Sequence, residues 1–337
     1  MLRMDSVVKI SNSQTWQQEL SGAFTQLDKL LAYLNLDIND LEEHEKANKL
    51  FPLLVTRSFA SRINKNDPLD PLLKQVLPLP AELDKNVHFT HDPVGDDKAT
   101  VLPGLIHKYY GRVLLIVTGA CAIHCRYCFR RAFPYANNSS TPAHFEKILA
   151  YLKNHEEIEE VILSGGDPLT VSDQRLTKII GEIQSINHIK RLRIHTRLPV
   201  VLPTRITTNL INLLKNTRLR VIVVLHVNHP NEIADDVERA IQALKKANIT
   251  LLNQTVLLKG VNDNPKTLIE LSYRLFDNGI QPYYLHLLDK VAGAIHFDIS
   301  QKDALTIYKK IQQKLPGYLV PKLVTEIQGE TSKTLIT

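Results

Sequence analysis

Long apolar runs are missing from this 337-residue chain: no wholly apolar stretch exceeds five residues, and 113–117 is one such stretch. A membrane helix needs about 20, so no spanning helix and no membrane partner are expected. The opening residues MLRMDSVVKISNSQTW hold no sustained apolar segment, so a secretory signal is not expected and a cytoplasmic location is. Aromatics are scarce at 6%, and no basic block stands out, although the net charge is +6 and the pI near 9. That leaves little stacking or electrostatic footprint for nucleic acid, and the charge reads as solubility or as a match for an anionic small molecule or acidic protein. With 44% hydrophobic and 23% charged residues the chain is globular, not disordered, and its length suits one large core or two ordinary domains.

Cysteine is nearly absent, and the three present crowd into eight residues, Cys121, Cys125 and Cys128. An odd, clustered set makes a poor disulfide framework and points to a reducing compartment and a metal or cluster site.

Residues 1–95 read as a helical region that caps or braces a larger domain. Apolar positions at Leu20, Phe24, Leu27, Leu30, Leu31 and Leu34 predict a helix within 16–34, and Pro68, Pro71, Pro78 and Pro80 mark an irregular connector. From about residue 112 a regular alternation begins. Short β-branched runs at 113–118, 160–164, 192–196, 220–227, 250–257 and 282–287 alternate with helical patterns at 144–154, 172–185, 231–247 and 265–277. Buried parallel strands read as continuous apolar runs joined by helical crossovers. Six such units predict an α/β fold, a partial (β/α)6 barrel over 96–300 with its chemistry at the C-terminal strand ends; an open doubly wound sheet is the alternative. Residues 301–337 form a short C-terminal segment.

The first strand runs directly into the cysteines, spaced C-x3-C-x2-C. Three thiolates can hold three irons of a [4Fe–4S] cluster and leave the fourth open to chelate a ligand. A Cys3His zinc site using His124 or another His and simple burial of three small thiols are the alternatives. Ser164-Gly165-Gly166-Asp167-Pro168 closes the second strand, either as a close-approach ligand site or as a turn with Asp167 capping a helix. His195-Thr196-Arg197, His226, His229 and Asn253-Gln254 lie near later strand ends, as cofactor contacts or as structural hydrogen-bonding groups.

C-x3-C-x-aromatic-C at the end of the first strand resembles the radical S-adenosylmethionine (SAM) enzymes. The resemblance implies that SAM chelates the open iron, that Tyr127 packs near its adenine, that Gly165, Gly166 and Asp167 lie at its methionyl amino group, and that one electron from a reductant releases a 5′-deoxyadenosyl radical. Five further stretches narrow the resemblance: HKYYGRVLLIVTGACAIHCRYCFRR, ILSGGDPLTVSD, RLPVVLPTRIT, NQTVLLKGVND and PYYLHLLDKVAGAIHF. Together they look like the lysine 2,3-aminomutases over residues 95–337. The ending PGYLVPKLVTEIQGETSKT is most similar to the EpmB-type branch, which makes (R)-β-lysine from L-lysine for modification of translation elongation factor P.

That resemblance also implies pyridoxal phosphate (PLP) carried on Lys333 in a G-x-x-x-K-T ending, with Lys322 as the internal competitor. It implies Tyr109 and Arg112 around the PLP, Arg130 on the substrate carboxylate, and Asp289 with Glu326 on the substrate ε-ammonium; Gln254 stands as a strand-end candidate for cofactor binding. The implied partners are L-lysine, a one-electron reductant, and, functionally, elongation factor P with its lysyl ligase; a homo-oligomer is compatible with all of this. A radical aminomutase for another amino acid and a zinc-binding structural protein are the competing functions.

Overall fold

The computed structural model describes residues 15–38, 40–136, 138 and 141–337. Ten strands form one sheet in sequence order: β1 (Thr100–Leu102), β2 (Leu105–Tyr109), β3 (Arg112–Thr118), β4 (Glu160–Gly165), β5 (Arg191–Thr196), β6 (Arg220–His226), β7 (Thr250–Val256), β8 (Gln281–His286), β9 (Lys322–Thr325) and β10 (Thr334–Leu335). The pairings from β3 through β9 are parallel, and those of β1, β2 and β10 with their neighbours are antiparallel. The sheet is a partial barrel, as the sequence predicts, and its six parallel strands gain a seventh. β9 carries no long apolar run. It is four residues long and owes its place to pairing with β8 through Leu285↔Leu323.

The crossover helices form where the sequence supplies both a cap and a stripe. Ser172 caps Asp173–Gln184, whose Leu176, Ile179, Ile180 and Ile183 make one buried face. Thr141 caps Pro142–Lys153, and Asn264 caps Pro265–Asp277. The helical pattern over 231–247 is a 3-10 turn at Pro230–Glu232 followed by the helix Asp235–Lys246. The pattern over 16–34 is likewise two helices, Trp16–Ser21 and Leu27–Leu34, because Phe24 leaves the helix to pair with Val55 (N–H to O 2.7 Å).

Strand parity divides the sheet chemically. Val113, Leu115, Val161, Leu163, Leu192, Ile194, Val223 and Leu225 pack with the helices in one core, which also takes in Trp16, Phe24, Leu30 and Phe59 of the N-terminal region. The opposite parity, facing the barrel interior, carries Arg112, Glu160, Ser164, Arg193, His195, His226, Gln254, Tyr284 and His286. The main apolar core therefore lies outside the sheet, and the inside sets these polar and charged groups among apolar ones such as Ile116, Ile162 and Val224.

The ends of β3 and β4 meet tightly. Gly165 has φ +117°, and a Cβ there would stand 2.5 Å from the Thr118 carbonyl oxygen; one on Gly166 would stand 2.3 Å from that of Ala120. Both neighbours are backbone, so neither can move aside cheaply. Gly181, in the helix after β4, faces open space. Gly166→Ala is therefore expected to destabilise the protein by about 1–3 kcal/mol, the cost of forced overpacking, whereas Gly181→Ala should stabilise it by about 0.5–1 kcal/mol. Urea denaturation of the two variants checks the contrast.

Candidate active site

The cysteine loop leaves β3 at Thr118 and is held from the N-terminal region. The amide of His124 donates to Leu54 O (2.9 Å) and that of Arg126 to Gln75 O (2.9 Å). The fully buried Arg126 side chain grips Glu82 at 2.8 and 2.6 Å and the Phe51 carbonyl at 2.6 Å. Arg131 adds a second contact to Glu82 at 2.7 Å. Tyr127 sits edge-on to Phe297 (6.1 Å) with its hydroxyl donating to Gln75 Oε1 (3.4 Å). The residues between the cysteines thus anchor the loop.

Burial pushes the Cys121 thiol well up and Cys128 up to about 11, and each also feels Cys125. Cys121 and Cys128, desolvated and within electrostatic reach of a third thiol, are costly as thiolates unless a cation is shared among them, which suits a cluster. On the far side, Arg197 Nη1 donates to Cys125 Sγ at 2.8 Å. A zinc site fits less well. Thiolates on one zinc lie roughly 3.8 Å apart, given Zn–S bonds of about 2.3 Å. Among the described residues no group of three or more His, Cys, Asp or Glu is gathered in that way. His124 meanwhile bonds the Pro52 carbonyl through Nδ1 (2.7 Å) and stacks on Phe51.

Gly165 and Gly166 present their backbone to this loop: Gly166 N–H donates to Thr118 O (2.7 Å) and Asp167 N–H to Ala120 O (2.8 Å). The Asp167 carboxylate is engaged within the protein. It accepts from Thr196 Oγ1 (2.7 and 2.9 Å), the Arg197 amide (2.7 Å) and the Leu169 amide (3.1 Å), and burial lifts it to about 6. The helix-cap reading of Asp167 thus describes its side chain, which ties β4 to β5. Asn253 is also structural, bonded to the backbone of Val227 and to Thr255.

Deeper in the barrel, burial keeps three imidazoles neutral: His195 and His286 well below their usual range and His226 at about 3. Gln254 Nε2 lies 2.9 Å from His226 Nε2. Nε2 of His195 and of His286 are buried without a hydrogen-bond partner among the described residues. Orphaned polar atoms of this kind fit a chamber that receives a polar ligand. Arg112 stacks over Tyr109 at 4.7 Å, and burial and Glu326 raise the Tyr109 hydroxyl.

A chain of alternating charges crosses this chamber. Arg130 Nε meets Asp96 (2.7 Å), Asp96 meets Lys108 (2.6 Å), Lys108 meets Glu326 Oε1 (2.9 Å), and Glu326 Oε2 meets Lys333 Nζ (2.7 Å). The last link follows from a hairpin: Gly329 at φ +86° turns the chain back, and Thr334 pairs with Thr325. Lys333 and Glu326 therefore stand opposite each other. Ile336 is buried beneath them, so Lys333 is not on a frayed tail, and the competitor Lys322 is exposed. Burial works to raise Glu326, but Lys333 and Lys108 outweigh it and hold it at about 2. Asp289 is the opposite case. Burial pushes it up to about 7, against the pull of Lys333 and Lys108. Ser164 Oγ accepts from Arg130 Nη1 (3.1 Å), which with Asp96 fixes the guanidinium plane. Sequence reading missed Asp96, Lys108 and Ser164 in this role. Lys108 lies within a quoted motif beside Tyr109, whereas Asp96 opens a one-turn helix, Asp96–Ala99, too short to leave a periodic or motif signal.

The structure thus gathers Arg130, Tyr109, Asp289, Glu326 and Lys333 around one interior and places Cys121, Cys125, Cys128, Gly165 and Gly166 at its C-terminal rim. Residues 115–271 match the family model described as Radical SAM superfamily. The chain is 47% identical to the L-lysine 2,3-aminomutase of Buchnera aphidicola subsp. Baizongia pistaciae, over 99% of this chain and 98% of that protein. It is 49% identical to that of Haemophilus influenzae, over 97% and 96%. It is 47% identical to that of Escherichia coli K12, over 95% and 94%. The family implies a [4Fe–4S] cluster and SAM, for which the three thiols and the glycine cradle are suited. The chain belongs to the lysine 2,3-aminomutases, isomerases of the radical SAM superfamily.

Proposed function

We propose that this chain is a cytoplasmic, PLP-dependent L-lysine 2,3-aminomutase whose product, (R)-β-lysine, is passed to a lysyl ligase for attachment to elongation factor P. One observation carries the reading: Lys333, its partner Glu326, the carboxyl of Asp289 and the clamped guanidinium of Arg130 bear on one polar barrel interior. A diamino acid needs an anion site and a cation site at fixed separation, and these residues supply both. PLP gives the migrating amino nitrogen a π-bonded carrier, and the cluster with SAM supplies the initiating radical and takes its electron from a one-electron reductant.

Arg130, fixed by Asp96 and Ser164, offers its remaining donors to the substrate carboxylate. Glu326 holds Lys108 on one oxygen and Lys333 on the other. Oε2, which here holds the Lys333 ammonium, would offer a carboxylate oxygen to the side-chain ammonium of the substrate, while Lys108 holds Oε1 and keeps Glu326 ionised and in place. Asp289 joins it from the loop after β8. Two carboxylates here disfavour an acidic substrate by like-charge repulsion. Neutral His195, His226 and His286, with Gln254, Tyr109 and Arg112, would line the cofactor's berth. Gly165 and Gly166 would offer backbone groups to SAM, braced by Asp167, and Tyr127 would pack near its adenine.

The reading is tested by incubating the anaerobically reconstituted protein with PLP, SAM, dithionite and L-lysine. (R)-β-lysine should form; turnover of another amino acid in its place sinks the substrate assignment. Deleting the gene should remove the β-lysyl mass increment from elongation factor P, and an unchanged mass would break that link.

Replacing Cys121, Cys125 or Cys128 with Ala should abolish iron binding and turnover together, as read by iron and sulfide analysis. Borohydride reduction of the PLP-loaded protein should fix a pyridoxyl group on Lys333, and peptide mapping that finds it on Lys322 would overturn the C-terminal assignment. Asp289→Asn should lower kcat/KM for lysine by about 10²-fold, the scale of a lost charge-assisted contact, with cluster and PLP content intact.

Asp289 also makes a pH prediction. An unfolded Asp titrates near 4, and burial sets this one at about 7. The native carboxyl holds its proton more tightly than the unfolded chain does. Its contribution therefore costs stability as pH rises from about 4 to about 7, and the cost is complete above that. Cofactor-free Asp289→Asn should exceed wild type in stability above pH 7 and converge with it toward pH 4, as measured by denaturant unfolding.

A further inference from the structure

Arg197 follows β5, and nothing in the lysine chemistry above employs it. Its guanidinium is buried and held at several points. Nη2 donates to Gln75 Oε1 (2.7 Å) and Glu232 Oε2 (2.9 Å), its backbone N–H donates to Asp167 (2.7 Å), and the group lies over the rings of Phe59 (5.2 Å) and Tyr127 (5.7 Å). Glu232 is itself fixed, with Oε1 accepting from Asn228 N (2.9 Å), His229 N (3.0 Å) and Gln75 Nε2 (3.1 Å). This scaffold leaves Nη1 aimed at Cys125 Sγ, 2.8 Å away.

We propose that Arg197 is a positioning residue that tunes the cluster: its Nη1 donates a charge-assisted hydrogen bond to the sulfur of Cys125 and raises the cluster's reduction potential. When the cluster accepts one electron from an external one-electron reductant, negative charge builds on the iron and its sulfur ligands and no bond breaks. A donor held at one ligand sulfur stabilises the reduced form more than the oxidised form. The carboxylate of Glu232 keeps the guanidinium from being a bare buried charge, and the fork geometry lets one end serve Glu232 while the other serves sulfur. The inference rests on radical SAM membership alone, so it survives if the lysine assignment falls.

The test is an EPR-monitored redox titration of the anaerobically reconstituted protein, with iron content measured alongside. Arg197→Gln should retain iron while its one-electron reduction equilibrium falls at least tenfold, which is 59 mV. Arg197→Lys keeps a charge but loses the fork and should fall about threefold. Wild-type potential in an iron-replete Arg197→Gln protein overturns the proposal. If Arg197→Gln fails to hold iron, Arg197→Lys decides: a lowered potential supports tuning, and a wild-type potential overturns it. Loss of iron from both variants also overturns it, because Arg197 is then a strut of the cysteine loop and nothing more.

Discussion

A parallel sheet that stops short of closing leaves two edges with a polar interior between them, and in this chain that gap is spanned by charge. Lys108 on β2 reaches Glu326 beyond β9, while Asp96 and Arg130 extend the line on one side and Lys333 on the other. Gln328 reinforces the seam from the C-terminal side by bonding the Asp92 carbonyl (2.9 Å). Buried ion pairs contribute little net stability relative to an apolar replacement, but removing one partner strands the other at a cost of about 3–5 kcal/mol. Each member of such a chain therefore holds the next in place. Because the same groups bear the candidate substrate contacts, closing the barrel and shaping its binding chamber are one event.

The cysteine loop depends on a comparable arrangement from the other end of the sequence. Glu82 and Arg126 form a fully buried pair, and Gln75 joins the Arg126 amide, Tyr127 and Arg197. The N-terminal region supplies no residue of evident chemistry, yet it fixes the loop that carries the thiols. The loop is tied to β4 by the glycine contacts and to β5 through Asp167 and Thr196. The rim of the barrel is thus a connected network in which the thiols, the glycine backbone and the guanidinium of Arg197 hold fixed relations.

How much of this was legible depends on where each signal lies in the chain. The six strands were readable because each carries a short run of apolar and β-branched residues whose outward half packs under the helices, and the cysteine spacing was readable because its ligands are local. The helix pattern over 16–34 misled, since periodicity records which residues are apolar and not whether Phe24 has a strand partner at Val55. β9 was invisible for the same reason: four residues acquire strand geometry from β8 and not from their own composition.

What the sequence determined by itself is the local chemistry: three thiols at the end of a strand, a glycine pair after the next, and a lysine in a glycine-led ending. Those features are set by spacing along the chain and by the conformations that glycine permits. The tertiary structure decided the rest. It set the partners of Arg130, the opposed pKa shifts of Asp289 and Glu326, the service of Asp167 as a tie between strands, and the approach of Arg197 to Cys125. Each of these depends on residues tens to hundreds of positions apart and on how deeply folding buries them. Neither distance in space nor loss of solvent is written in any short stretch of sequence.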